Sequence, residues 1–180
     1  MAEDLSISQA ITDETLDQHA RIQALDRLGE GGVDASVLDL LKSQIDKELS
    51  GDDSRFVIYL LGAIRRIFDR RAVAILRDLL KRRIDISFRS QCIAGLRELY
   101  RHAVMQSAIS RDPAARRRLP NAGLIDENFV VFGTDLTDED LQRIEDTLHD
   151  VAEDGEELEM LRDEAREAHL ACQELSRRVQ

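Results

Sequence analysis

The sequence predicts an all-α protein, a short array of paired helices closed by a C-terminal helical hairpin. Three observations predict it. Apolar residues recur at steps of three and four along most of the chain, the spacing of helices with one buried face. Two prolines and nine glycines in 180 residues suit long helices better than a many-turned β fold. Short segments also recur at intervals the length of a helical pair.

In chain order, residues 1–10 are expected to fray. Ile11-Thr12-Asp13-Glu14-Thr15-Leu16 reads as a helix start, with Thr12 as N-cap and Ile11 and Leu16 as a hydrophobic staple. That helix is expected to run to Gly29, with Leu16, Ala20, Ala24, Leu25 and Leu28 inward, and to be broken by Gly31-Gly32. Residues 35–49 form the next helix, and Ser50-Gly51-Asp52-Asp53 turns the chain. Asp53 or Ser54 then caps a helix carrying Phe56, Tyr59, Leu60, Ala63, Ile64 and Ile67 on one face. After a break near Asp69 and Arg70, a second face comprises Val73, Leu76, Leu79, Leu80 and Ile84. Ile84-Asp85-Ile86-Ser87 is a tight corner. A third helix runs from about Phe88 to Ile109 and ends before Pro113, which lacks the N–H that a helix interior needs.

Residues 110–135 are the least regular. They hold the cluster Arg116-Arg117-Arg118, a turn at Pro120-Asn121-Ala122-Gly123, and Phe129-Val130-Val131-Phe132, whose aromatic and β-branched residues favour extended backbone. A single strand there has no visible partner, so an extended segment packed on the helices is expected; pairing with another protein's sheet edge is the sharper alternative. Leu136-Thr137-Asp138-Glu139-Asp140-Leu141 is another helix start. Leu141, Ile144, Leu148 and Val151, then Leu158, Leu161, Ala165, Ala168, Cys172, Leu175 and Val179, form a narrow heptad-like seam. A glycine inside a helix costs about 1 kcal/mol, so Asp154-Gly155 is read as a hairpin corner, with one long self-associating coiled coil as the rival.

Two series repeat. Asp39-Leu40-Leu41-Lys42-Ser43-Gln44-Ile45-Asp46 returns as Asp78-Leu79-Leu80-Lys81-Arg82-Arg83-Ile84-Asp85. Arg21 with Leu28-Gly29, Arg55 with Leu61-Gly62, and Arg89 with Leu96 open similar segments at equal spacing. Over residues 13–108 this resembles the HEAT family of helical repeats, whose second helices open Asp…Arg-x-x-Ala and end Leu-Gly. The resemblance implies a short α-solenoid in which Asp17 with Arg21, Asp85 with Arg89 and, more loosely, Asp52 or Asp53 with Arg55 tie neighbouring repeats together without catalytic duty. No first helix carries the family's common proline, and the turns are uneven in length. The implied organisation is HEAT-like repeats over 1–109, an irregular connector over 110–135 and acidic helices over 136–180.

Composition narrows the functional classes. The aromatic fraction is 4% with no tryptophan, so the core must be aliphatic. The first residues show no basic start or apolar run of a secretory signal. The longest apolar run, 56–64, is far short of the roughly 20 residues a membrane span needs, so a soluble, cytoplasmic protein is expected. Cys92 and Cys172 read as buried thiols. The net charge of −11 conceals a division: residues 1–54 carry four basic and thirteen acidic side chains, 55–118 sixteen and five, and 134–180 five and sixteen.

No phosphate-binding glycine loop, Cys-x-x-Cys or His-Glu-x-x-His is present. His19, His102, His149 and His169 are scattered; His169 and Cys172 have metal-compatible spacing, but one pair is a weak signal, and no metal or cofactor is expected. Glu156, Glu157, Glu159, Asp163 and Glu164 read as a solvated face. The functional lead is the basic middle: Arg65, Arg66, Arg70, Arg71, Arg77, Lys81, Arg82 and Arg83, with Arg116, Arg117 and Arg118. Three readings are open: local pairing with Asp and Glu, neutralisation by residues 134–180, or an external anionic partner. The expected function is a non-enzymatic protein–protein interaction module, an adaptor or an inhibitor of the immunity type, with self-association through the C-terminal helices as a further option. Nucleic-acid binding by the basic middle, regulated by the acidic tail, is the alternative and ranks below it.

Overall fold

The computed structural model describes residues 6–30, 33–51, 54–115 and 129–179. Among them are eight helices and one two-stranded parallel sheet. The cap candidate Asp53, the Asp52 offered with it as a partner of Arg55, the Gly31-Gly32 break, the turn at 120–123 and Arg116, Arg117 and Arg118 lie outside the described residues.

The N-terminal reading needs correction. The expected helix from Thr12 to Gly29 is two helices, α1 (Ile7–Thr12) and α2 (Gln18–Asp26). Ser6 caps α1 in a reciprocal box: its Oγ accepts from the Gln9 N–H at 3.2 Å, and its own N–H donates to Gln9 Oε1 at 3.1 Å. Asp13 ends that helix because its carboxylate accepts from the N–H of Thr15 at 2.9 Å, a local bond that competes with the helix. Thr12 is therefore the last residue of α1, and Ile11 is fully buried in the core.

The later elements follow the pattern in the main, with three corrections: Tyr59 and Leu158, expected on buried faces, are exposed, and Ile67 lies in a strand beyond the end of its helix. α3 (Val37–Ser50) buries Leu38, Leu41 and Ile45, and α4 (Val57–Ile64) buries Leu60, Leu61 and Ile64. The short strand β1 (Ile67–Phe68) leads into α5 (Arg70–Lys81), capped by Asp69, whose carboxylate accepts from the Arg71 N–H at 2.7 Å. Asp85 caps α6 (Ile86–Arg111) through the Ser87 N–H at 2.8 Å, so this helix begins two residues before Phe88. After β2 (Val131–Phe132), Thr137 and Asp140 form a second capping box that opens α7 (Asp138–Glu153). Residues 154–158 turn the chain into α8 (Glu159–Val179), and α7 and α8 pack against each other. The C-terminal segment is a hairpin.

Consecutive helices pack as pairs: α1 with α2, α3 with α4, α5 with α6, α7 with α8. The odd-numbered helices also touch in chain order, and so do the even-numbered ones. One hydrophobic core, from Ile11 to Cys172, runs through all eight. The two similar octapeptides coincide only in part. Residues 39–46 lie wholly within α3, whereas 78–81 end α5 and 82–85 are non-helical.

The segment 129–134 finds the partner that the sequence did not reveal. β2 pairs with β1 in parallel, Ile67 opposite Val131 and Phe68 opposite Phe132. The N–H groups of Val130 and Gly133 donate to the carbonyls of Arg66 and Phe68 at 2.9 and 2.8 Å, and Arg70 N–H donates to Thr134 O at 3.2 Å. Two glycines permit the close approach. Gly29 has φ 104°, and a Cβ there would lie 2.8 Å from Val130. A Cβ on Gly133 would lie 2.0 Å from Asp69 Oδ2. Phe68 and Phe129 flank the buried His102 at 4.4 and 4.8 Å between ring centroids, which makes that histidine part of the packing.

Candidate functional site

The arginines of residues 65–83 start from adjacent elements but do not gather on one open face. Arg66, just after α4, reaches back to α2, where its Nη1 and Nη2 donate to the carbonyls of Leu25 at 3.4 Å and Asp26 at 3.1 Å. It thereby satisfies carbonyls that a helix end leaves without intrahelical partners. Arg65 donates to Gln91 on α6, and burial lowers its pKa from the ordinary arginine value. Arg71 grips Asp69 through Nε at 3.0 Å and lies 3.7 Å from Asp39. Arg82 bridges Asp46 and Asp78, both at 2.5 Å. Lys81 is exposed on the last turn of α5.

Three arginines point instead at the C-terminal hairpin. Arg70 lies 3.8 Å from Asp140, Arg77 Nε donates to Thr147 Oγ1 at 2.7 Å, and Arg83 pairs with Glu156 at 3.0 Å. The acidic tail thus meets part of the basic middle, as the second of the three electrostatic readings expects. Local pairing accounts for Arg71 and Arg82. Burial opposes ionisation of Asp69, but the Arg71 guanidinium and the backbone N–H groups of Thr134 and Arg71 outweigh it and hold its carboxyl below the usual range. Asp140 is also held low: burial opposes its ionisation, and the N–H and hydroxyl of Thr137 with Arg70 and Arg143 overcome that opposition.

The two arginines of the Asp-x-x-x-Arg pattern that the structure describes with their aspartates have parallel environments. Arg21 is buried; its Nε and Nη2 donate to the carbonyls of Ala10 and Ile11 at 3.0 and 2.8 Å, and Glu48 lies 3.4 Å away. Its guanidinium also sits over the Phe56 ring, 3.7 Å from the centroid. Arg89 is buried too; its Nε donates to the Leu80 carbonyl at 2.9 Å, and it pairs with Glu157 in the hairpin turn. Arg89 holds the Glu157 carboxyl below the usual range. Each arginine ties the end of the preceding helix to a glutamate from later in the chain.

A groove that the sequence did not point to lies between α6 and α8. It encloses about 330 Å³ and is lined by Tyr100, Met105, Ala171, Cys172 and Leu175, with Arg97, Glu98, Arg101, Glu174 and Arg178 around them. Arg178 pairs with Glu174. Neither Arg97 nor Arg101 has a hydrogen-bonded or ion-pair partner among the described residues. Beneath the groove, the Tyr100 hydroxyl meets Glu145 of α7 and, at 2.7 Å, Ser176 of α8, so one phenol joins three helices. Burial raises the pKa of that hydroxyl, and the Glu145 carboxylate adds to the effect. A local signal for this groove existed: Arg97 and Arg101 stand four apart on one helix, interleaved with Tyr100 and followed by Met105.

Other candidate chemistry is dispersed. Burial pushes the thiols of Cys92 and Cys172 up to about 12, which leaves them protonated and unreactive near neutrality. No group of three or more His, Cys, Asp or Glu residues that could hold a metal occurs among the described residues. No helix of the described residues is long and apolar enough to cross a membrane. Comparison with protein-family models, curated proteins and solved structures returned no match.

Proposed function

We propose that the chain is a non-enzymatic protein-binding scaffold. In this reading it is a short HEAT-like array closed by the C-terminal hairpin, and it receives an acidic, amphipathic segment of a partner protein between α6 and α8. The observation that carries the reading is the groove: apolar side chains line it, while Arg97 and Arg101 beside them have no hydrogen-bonded or ion-pair partner among the described residues. Apolar contact would supply the affinity, and the arginines would select carboxylates through forked hydrogen bonds. The chain-ordered contacts within the odd and even helix sets support the array. The matched roles of Arg21 and Arg89 support it as well. An adaptor and an inhibitor of the immunity type both fit such a site.

Nucleic-acid binding draws less support, because most of the arginines of residues 65–83 are engaged within the chain. The test is affinity capture from the native host with the full chain and with a double Arg97→Glu, Arg101→Glu variant, followed by cross-linking mass spectrometry. The proposal expects a protein that cross-links to α6 or α8 and is lost with the variant. Capture of nucleic acid that survives the variant, or of a protein cross-linked elsewhere, contradicts it.

A further inference from the structure

His149 on α7 and His169 on α8 face each other across the hairpin, with ring centroids 5.3 Å apart and ring planes inclined at 55°. The hairpin register sets this meeting. The same antiparallel alignment brings Arg166 Nη2 to the Ala152 carbonyl at 3.5 Å. Counting back three residues on one helix and on three along the other leads to the two histidines. His149 is exposed and His169 half-buried, so solvent ions reach the pair.

A tetrahedral zinc ion with Zn–N bonds of about 2.0–2.1 Å holds two imidazole centroids roughly 5 Å apart, because each ring centre lies a little beyond its ligating nitrogen. The observed separation of 5.3 Å matches that spacing. Gln173 adds a feature expected around a ligating imidazole. Its side-chain amide lies 3.1 Å from His169 Nε2, where it can fix the ring and leave Nδ1 to the ion once the amide presents its oxygen. Cys172, three residues from His169, is not a third ligand, since its thiol is buried in the seam.

We propose that His149 and His169 form a two-histidine site for a divalent transition ion of the zinc class, with water in the remaining positions, and that the ion staples α7 to α8. Imidazole ligands suit zinc, copper and nickel rather than calcium or magnesium. Because metal binds the folded pairing and not the open chain, occupancy stabilises the hairpin.

The test is calorimetric titration of the chelator-stripped full chain with zinc chloride, alongside Tm measured with and without zinc. The expected result is one equivalent bound with an affinity on the order of micromolar, and a higher Tm with zinc. His149→Ala and His169→Ala should each weaken binding by about tenfold or more and abolish the Tm shift. His19→Ala is the internal control, because His19 makes a comparable His–Gln contact, 2.9 Å to Gln23, with no second imidazole opposite. His149→Gln and His169→Gln replace either alanine variant that loses helicity by circular dichroism. Zinc binding that persists in the His149 and His169 variants, as spread-out carboxylate binding would, overturns the proposal. So does a wild-type chain that binds none.

Discussion

Between residues 65 and 83 the chain holds seven arginines and a lysine; on α6 and α8, Arg97, Arg101 and Arg178 line a single groove. The first set is the denser in sequence and the less available in space. Arg66 closes the end of α2, Arg71 and Arg82 hold aspartates, and Arg70 and Arg77 reach the C-terminal hairpin, while Arg83 meets Glu156 only in solvent. The second set is sparse, yet two of its three arginines have no partner among the described residues. Charge density along a sequence therefore measures how much cation a region contains. What remains for a partner depends on the carboxylates and carbonyls that the fold places opposite.

The sharpest way to break this contrast is to remove an arginine that works inside. Arg89→Met leaves the Leu80 carbonyl without its side-chain donor and the Glu157 carboxylate with only the Leu158 N–H at 3.1 Å, and should cost about 3 kcal/mol in urea unfolding, because a half-removed buried pair leaves its other charge without its counter-ion. A loss below about 1 kcal/mol would mean that the buried arginines are not the ties described here. Asp69→Ala comes next. It deletes the acceptor for the N–H groups of Arg71 and Thr134 and for the Arg71 guanidinium, and should cost about 2 kcal/mol while releasing 129–134 to hydrogen exchange.

The same carboxylate sets a pH dependence. Its pKa is lowered on folding, so its contribution is complete above the unfolded value of 3.8 and is lost as pH falls through the folded value. Wild-type stability should therefore fall more steeply than that of Asp69→Ala as pH drops below about 4, and parallel curves would remove Asp69 from the account. On the groove side, the double Arg97→Glu, Arg101→Glu variant should change stability by less than about 0.5 kcal/mol while abolishing partner capture. Arg83→Ala has the smallest expected effect. Its ion pair with Glu156 lies in solvent, and Tm should not change within error.

Much of the fold was legible because it is written locally. Thr137 announces a helix start through a side chain that bonds the N–H three residues on, and Gly155 marks a corner within four residues of where α8 begins, whereas the cap at Asp85 reads in the sequence only as a corner. The N-terminus was misread for a local reason as well: Ser6 with Gln9 makes a better box than Thr12 can, since Asp13 diverts to Thr15. The β1–β2 pairing was not legible. Two residues per strand carry no period, and Ile67 and Val131 are far apart in the chain. The groove escaped for the same reason, because Arg101 and Arg178 come together only when α8 packs on α6.

Arginine-selective labelling of the native chain with phenylglyoxal, read residue by residue by mass spectrometry, tests the division of labour most directly. The account predicts that Arg97 reacts at nearly its unfolded rate, while Arg21, Arg65 and Arg89 are protected on the order of tenfold or more. Equal rates at Arg97 and Arg89, or a protected Arg97 beside a reactive Arg65, would contradict it.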